Sequence, residues 1–93
     1  MTPDTLRNRR VAVWGAGRSG VAAANLLADL GARPVLSDSR PLDALALDAL
    51  DDRVEARGGG NVLDGADLLV PSPGLSPHNP ALRAVLAEGV TLM

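Results

Sequence analysis

VAVWGAGRSG, residues 11–20, decides the fold. Val11 to Trp14 is apolar without alternation, the pattern of a strand covered on both faces. Gly15, Gly17 and Gly20 follow at once in G-x-G-x-x-G spacing. An Ala/Leu-rich segment comes next and reads as helix. A strand, a glycine turn and a helix start in this order aim backbone N–H groups at a phosphate. In such a turn Gly15 permits the tight bend, Gly17 lets a phosphate approach the backbone, and Gly20 lets helix and strand pack closely. Glycine spacing alone arises by chance; its place at a strand-to-helix junction gives it weight.

Working outward, residues 1–9 are a polar lead-in and residues 10–14 the first strand. Residues 19–30 form a helix with Val21, Ala24, Leu27 and Leu30 on one face. Gly31 ends it in the left-handed conformation. Pro34 opens a second strand that runs through Val35, Leu36 and Ser37 to Asp38, which lies 18 residues after Gly20. An acid near that distance contacts a ribose hydroxyl in dinucleotide-binding units. Residues 38–41 turn, and a Leu/Ala-rich helix is predicted over 42–50. Residues 53–57 read as a short edge strand. Gly58, Gly59 and Gly60 turn, and residues 61–65 hold one helical turn. Residues 67–70 are a fourth strand, stopped by Pro-Ser-Pro-Gly at 71–74. Residues 75–78 are loop. Asn79 and Pro80 cap and open a helix through Glu88. Gly89 stops it, and residues 90–93 begin a fifth strand.

Alternating strands and helices with short connections imply right-handed crossovers and a parallel sheet. The expected architecture is a Rossmann-like α/β domain spanning residues 1–93: a doubly wound, five-stranded parallel sheet in order 3-2-1-4-5 with helices on both faces. The sequence stops inside a strand, which reads as the first domain of a longer protein.

Composition removes several functions. All nine basic residues are arginine, so there is no P-loop lysine and no Schiff-base lysine. One histidine and no cysteine leave no ordinary zinc site. The net charge is −2 with scattered arginines, unlike the basic stripe of a nucleic-acid binder. Arg7, Arg9 and Arg10 read as a solvated edge. No apolar run approaches the ~20 residues of a membrane span, and the lack of cysteine fits a reducing cytoplasm. His78, in a loop without an acid partner, reads as solvated. Trp14 reads as packed beneath the glycine loop.

A ligand of an open parallel sheet lies beyond the carboxyl ends of the strands, where the strand order reverses. Three loops meet there: Gly15–Gly20, Asp38–Arg40 and Ser72–Gly74. They offer N–H donors and a hydroxyl, then a carboxylate, a hydroxyl and a guanidinium, then a Pro-bracketed turn. Plainer roles stay open: glycines for packing, Asp38 as a helix cap, Arg40 as a surface charge, Ser72 as a turn residue.

At these loops VAVWGAGRSGVAAANLL, VLSDSR and DLLVPSPGLSPHNPAL together resemble the N-terminal domain of the Mur ligases, in the branch that adds D-glutamate. The resemblance runs over essentially the whole chain. It implies a cytoplasmic enzyme of peptidoglycan precursor synthesis, joining D-glutamate to UDP-N-acetylmuramoyl-L-alanine through an acyl phosphate. It implies that ATP and magnesium are bound by domains absent here, and that this domain has no cofactor or catalytic residue of its own. It implies further that Gly17, Arg18 and Ser19 hold the diphosphate, that Asp38 and Ser39 read the uracil edge with Arg40 against the ring, and that Ser72, Pro73 and Gly74 close over the uridine. Two competing readings are an NAD(P)-binding domain of a dehydrogenase and a nucleotide-sensing regulatory domain.

Overall fold

Four consecutive buried residues in β1 (Arg10–Trp14) place it at the centre of the sheet, and the computed structural model, which describes residues 3–93, puts it there. The other elements are α1 (Pro3–Leu6), α2 (Arg18–Asp29), β2 (Arg33–Ser37), β3 (Glu55–Arg57), β4 (Leu68–Val70), α3 (Pro80–Ala87) and β5 (Thr91–Leu92). The strand order is β3-β2-β1-β4-β5 and every pairing is parallel. The expected fold class and strand order therefore hold.

The pleat sends alternate residues of each central strand to opposite faces. Val11, Val13, Leu36 and Leu68 meet Val21, Ala24, Leu27 and Ala28 of α2 on one face. Ala12, Trp14, Val35 and Leu69 meet Leu82 of α3 on the other, with half-buried Val85 beside it. Each such Val or Leu taken from water contributes roughly 1.5–3 kcal/mol. Gly31 ends α2 with φ +89° and Gly89 follows α3 with φ +95°, both conformations that side chains disfavour. The Asn79 side chain caps α3, accepting from the N–H groups of Ala81 and Leu82.

Pro34 sits one residue inside β2 and does not open it. The Arg33 N–H donates to Arg9 O at 2.8 Å, so alternation turns the Pro34 nitrogen away from β1. Pairing with β3 begins only at Val35, so no ladder bond is lost there.

Four local expectations are corrected. Residues 42–50 form only a 3₁₀ turn, Leu42–Ala44, before Leu45 extends (φ −95°, ψ 139°). A helix of nine residues is marginal without a packed face. Here Leu45, Leu47 and Leu50 reach the core from an irregular strap. The Asn25 side chain holds that strap, donating to Ala49 O and accepting from the Asp51 N–H. Residues 61–65 contain no helical turn. Asp64 and Gly65 both have positive φ and are spanned by the Ala66 N–H to Leu63 O bond, the Asp-Gly pattern of a mirror-image turn. The lead-in is also structured: α1 buries Leu6 in the core, and the Asn8 N–H bonds Gly31 O. Residues 1–2 of that lead-in lie outside the described residues. Lastly, Arg9 pairs with Asp67 at 2.9 Å, and Arg10 pairs with Asp64 and Glu55 where solvated side chains were expected.

Candidate functional site: three loops on one rim

Parallel strands point their carboxyl ends the same way, so the loops after β1, β2 and β4 share one rim of the sheet. Gly15 leaves β1 with φ +100°, and its N–H donates to Ser37 O at 2.8 Å. A Cβ on Gly15 would lie 2.9 Å from the Ser72 Cβ, so the first and third loops are in contact. A Cβ on Gly20 would lie 1.7 Å from Gly15 O, and no side chain fits there. Gly17 is different: a Cβ would meet nothing within 4 Å. It occupies the N-cap of α2 with φ −78° and no side-chain cap. The first N–H groups of α2 thus open outward at the positive end of the helix, an arrangement suited to an anion.

Asp38 ties the second loop to the first. One carboxylate oxygen accepts from the Ala16 N–H at 2.8 Å and from Arg40 Nη2 at 2.9 Å. The other accepts from the Arg40 N–H at 2.9 Å and Arg40 Nε at 3.0 Å. Four donors fill the acceptor capacity of a carboxylate. The side-on guanidinium pairing holds the buried Asp38 carboxyl well below the usual carboxylate range; burial opposes this, and the N–H groups of Ala16 and Arg40 assist. Asp38 therefore enters the site with its oxygens already engaged, fixing Arg40 and the glycine loop relative to one another.

Three adjoining hollows line the rim. A groove of about 600 Å³ runs between α2 and the 42–50 strap, with Gly17, Arg18 and Arg40 at its edge and Ala22, Ala46 and Ala49 along it. A cleft of about 310 Å³ brings together Gly15, Asp38, Ser39, Ser72 and Gly74 of all three loops, above Trp14. A smaller hollow of about 200 Å³ places Ser19 and Gly20 against Pro71 and Pro73. The nine candidate residues thus lie on one rim, but in three compartments. Arg18 does not share a compartment with Ser19. His78 lines none of the three.

Residues 9–93 match the family described as Mur ligase MurD-like, N-terminal domain. The chain is a member of that family. It is 40% identical to a UDP-N-acetylmuramoylalanine--D-glutamate ligase of Chlorobaculum parvum, over all of this chain and 21% of the relative. It is 45% identical to the enzyme of that name from Anaeromyxobacter dehalogenans over 97% of this chain, and 39% identical to that of Geobacillus kaustophilus over 94%. The chain spans about a fifth of the length of these relatives (21% in each case).

In this MurD-like domain the sequence reading missed Asn61 and Leu75, which also line the central cleft. Asn61 was assigned to a helical turn that does not form. The signal available was the run Gly58, Gly59, Gly60 just before it. Gly59 and Gly60 have positive φ, and Gly60 N–H bonds Asp38 O at 2.9 Å, which folds the next residue over the rim. Among the described residues, no three His, Cys, Asp or Glu side chains are placed to hold a metal, and no helix is long and apolar enough to cross a membrane.

Proposed function

We propose that this MurD-like domain binds the uridine diphosphate end of UDP-N-acetylmuramoyl-L-alanine, in an ATP-dependent ligase that adds D-glutamate during peptidoglycan precursor synthesis in the cytoplasm. The convergence of the glycine, Asp38–Arg40 and Ser72–Gly74 loops on one rim carries this reading. The open N–H groups at Gly17, Arg18 and Ser19, with the Ser19 hydroxyl, hold the diphosphate. Ser39 meets the base, and Arg40, fixed by Asp38, lies against it. Ser72, Pro73 and Gly74 close the far side.

ATP and magnesium do not suit this chain's own residues. It has no lysine for the nucleotide phosphates and, among the described residues, no acidic cluster for the metal. Bond formation therefore belongs to other parts of the full-length enzyme, and the contribution made here is to hold and orient the nucleotide.

A dehydrogenase reading needs the acid after β2 to accept ribose hydroxyls. The four donors already on Asp38 weigh against it. Calorimetric titration with UDP and with NADH separates the two. Weak UDP binding without NADH binding is expected. Tight NADH binding with no response to UDP would refute the proposal.

A further inference from the structure

We propose that Asp64–Gly65 is a site of spontaneous isomerisation to isoaspartate, kept latent by Arg10. The reaction starts when the main-chain nitrogen after an aspartate attacks the protonated side-chain carboxyl carbon. The nitrogen's proton and the carboxyl hydroxyl leave as water, and a cyclic imide closes. Water then reopens the ring at either carbonyl, giving aspartate or isoaspartate. A side chain on the following residue crowds the attack, so glycine is the permissive neighbour. Asp64 is the one aspartate of the chain followed by glycine, and no asparagine is. Both residues are exposed, at the tip of the mirror-image turn before β4. A Cβ on Gly65 would meet nothing within 4 Å, so the approach is open. The Ala66 N–H to Leu63 O bond closes the turn without using the Gly65 N–H, which makes no hydrogen bond among the described residues.

The nitrogen is free, but the carboxyl group is not. Arg10 Nη2 donates to Asp64 Oδ2, and Arg10 Nε donates to the Asp64 main-chain O at 3.3 Å. Arg57 Nη2 reaches the same Oδ2 at 3.4 Å. Arg10 is itself fixed: its side chain is only 15% exposed, and Nη2 also donates to Glu55 Oε2 of β3 at 3.0 Å. One guanidinium thus holds both the carboxylate and the main-chain carbonyl of Asp64. Closing the imide requires the carboxylate to take up a proton and swing over the Gly65 nitrogen, and either step gives up the charge-assisted bond to Arg10. Isoaspartate routes the main chain through the side-chain methylene, which adds one atom between Leu63 and Ala66 and leaves a free α-carboxylate open to a repair methyltransferase. Ala66 is buried in the layer that α3 covers, so the added atom disturbs the entry to β4.

The test ages the folded parent, Arg10→Gln, Arg10→Lys and Asp64→Glu side by side at neutral pH, with the parent in urea as the unrestrained reference. Isoaspartate is located by digestion with an endoproteinase that cuts before aspartate but not before isoaspartate, followed by mass spectrometry. Trp14 fluorescence checks that each variant is folded. In urea, isoaspartate is expected to accumulate at Asp64 ahead of every other position, and in the folded parent far more slowly. Arg10→Gln is expected to speed the folded chain about tenfold, the low end of what one hydrogen bond to a charged group is worth. Arg10→Lys keeps a cation near Oδ2 and is expected to speed it less. Asp64→Glu is expected to form none there. Should Arg10→Gln fail to fold, Arg57→Gln takes its place, with a smaller rise expected. Equal rates in the folded parent and the arginine variants overturn the restraint by Arg10. A folded parent that ages as fast as the chain in urea overturns the latency, and earlier accumulation at another position in urea overturns the site.

Discussion

Gly17→Ala separates binding from stability. Gly17 has φ −78° and ψ −172°, a conformation alanine adopts freely, and a Cβ there meets nothing within 4 Å. Replacing glycine at such a position stabilises by roughly 0.4–1 kcal/mol through the unfolded chain. Alanine is a poorer N-cap than glycine by up to about 1 kcal/mol. These effects nearly cancel, so the net change is within about 0.5 kcal/mol, or a few degrees in Tm for a domain of this size. The added methyl stands where a diphosphate would approach the first N–H groups of α2. Displacing one charge-assisted hydrogen bond costs about 1.5–3 kcal/mol, roughly a ten- to 150-fold loss of UDP affinity. Thermal denaturation and UDP calorimetry on the same preparations check both halves. Unchanged UDP affinity would show that the phosphates do not sit on Gly17. A fall in stability beyond about 2 kcal/mol would show that this glycine serves the fold.

Gly20→Ala, in the same glycine motif, is expected to do the opposite. Its Cβ would fall 1.7 Å from Gly15 O, so denaturant titration is expected to show a loss of about 3 kcal/mol or more, the range of severe steric substitutions. Asn79→Ala removes the cap of α3 and is expected to cost about 1 kcal/mol by the same measurement. Asp38→Asn has a pH signature. Because the folded pKa of Asp38 is depressed, chiefly by Arg40, its stabilisation is full above the unfolded carboxylate value of about 4 and fades as pH falls through the lower folded value. The stability gap between parent and Asp38→Asn is therefore expected to be flat from neutral pH down to about 4 and to narrow progressively in more acid solution; a gap independent of pH throughout would contradict the Asp38–Arg40 assignment.

The sheet was legible because its signals are redundant. The unbroken apolar run at Val11–Trp14, the glycine spacing and the capped helix at Asn79 each act through local physics that the fold leaves intact. The 42–50 strap was not, because nothing in Leu-Asp-Ala-Leu-Ala-Leu reveals that Asn25, far away in sequence, will bind its backbone. The Asp-Gly pair at 64–65 did carry a turn signal that the helical reading passed over.

The meeting of the candidate loops on one rim was legible in the sequence; their division among three hollows was not. Asp-x-Arg occurs twice, at Asp38–Arg40 and Asp51–Arg53, and both pairs fold into the same side-on clamp. Arg53 goes on to bind Asp29 and Ala28 O and so ties the end of α2 to the strap. Arg40 instead lines the groove beside Gly17. Spacing alone does not distinguish them; position on the carboxyl rim does. Asn61 was missed for the complementary reason, since its place depends on three hydrogen bonds, with Trp14, Ser37 and Asp38, that no sequence pattern encodes.

Whether one uridine diphosphate is shared by all three loops can be read by mapping amide shifts of the labelled chain against UDP. Concerted shifts are expected at Gly17–Ser19, Asp38–Arg40 and Ser72–Gly74, saturating with a single dissociation constant. Shifts confined to one loop, or separate constants for the three, would contradict it.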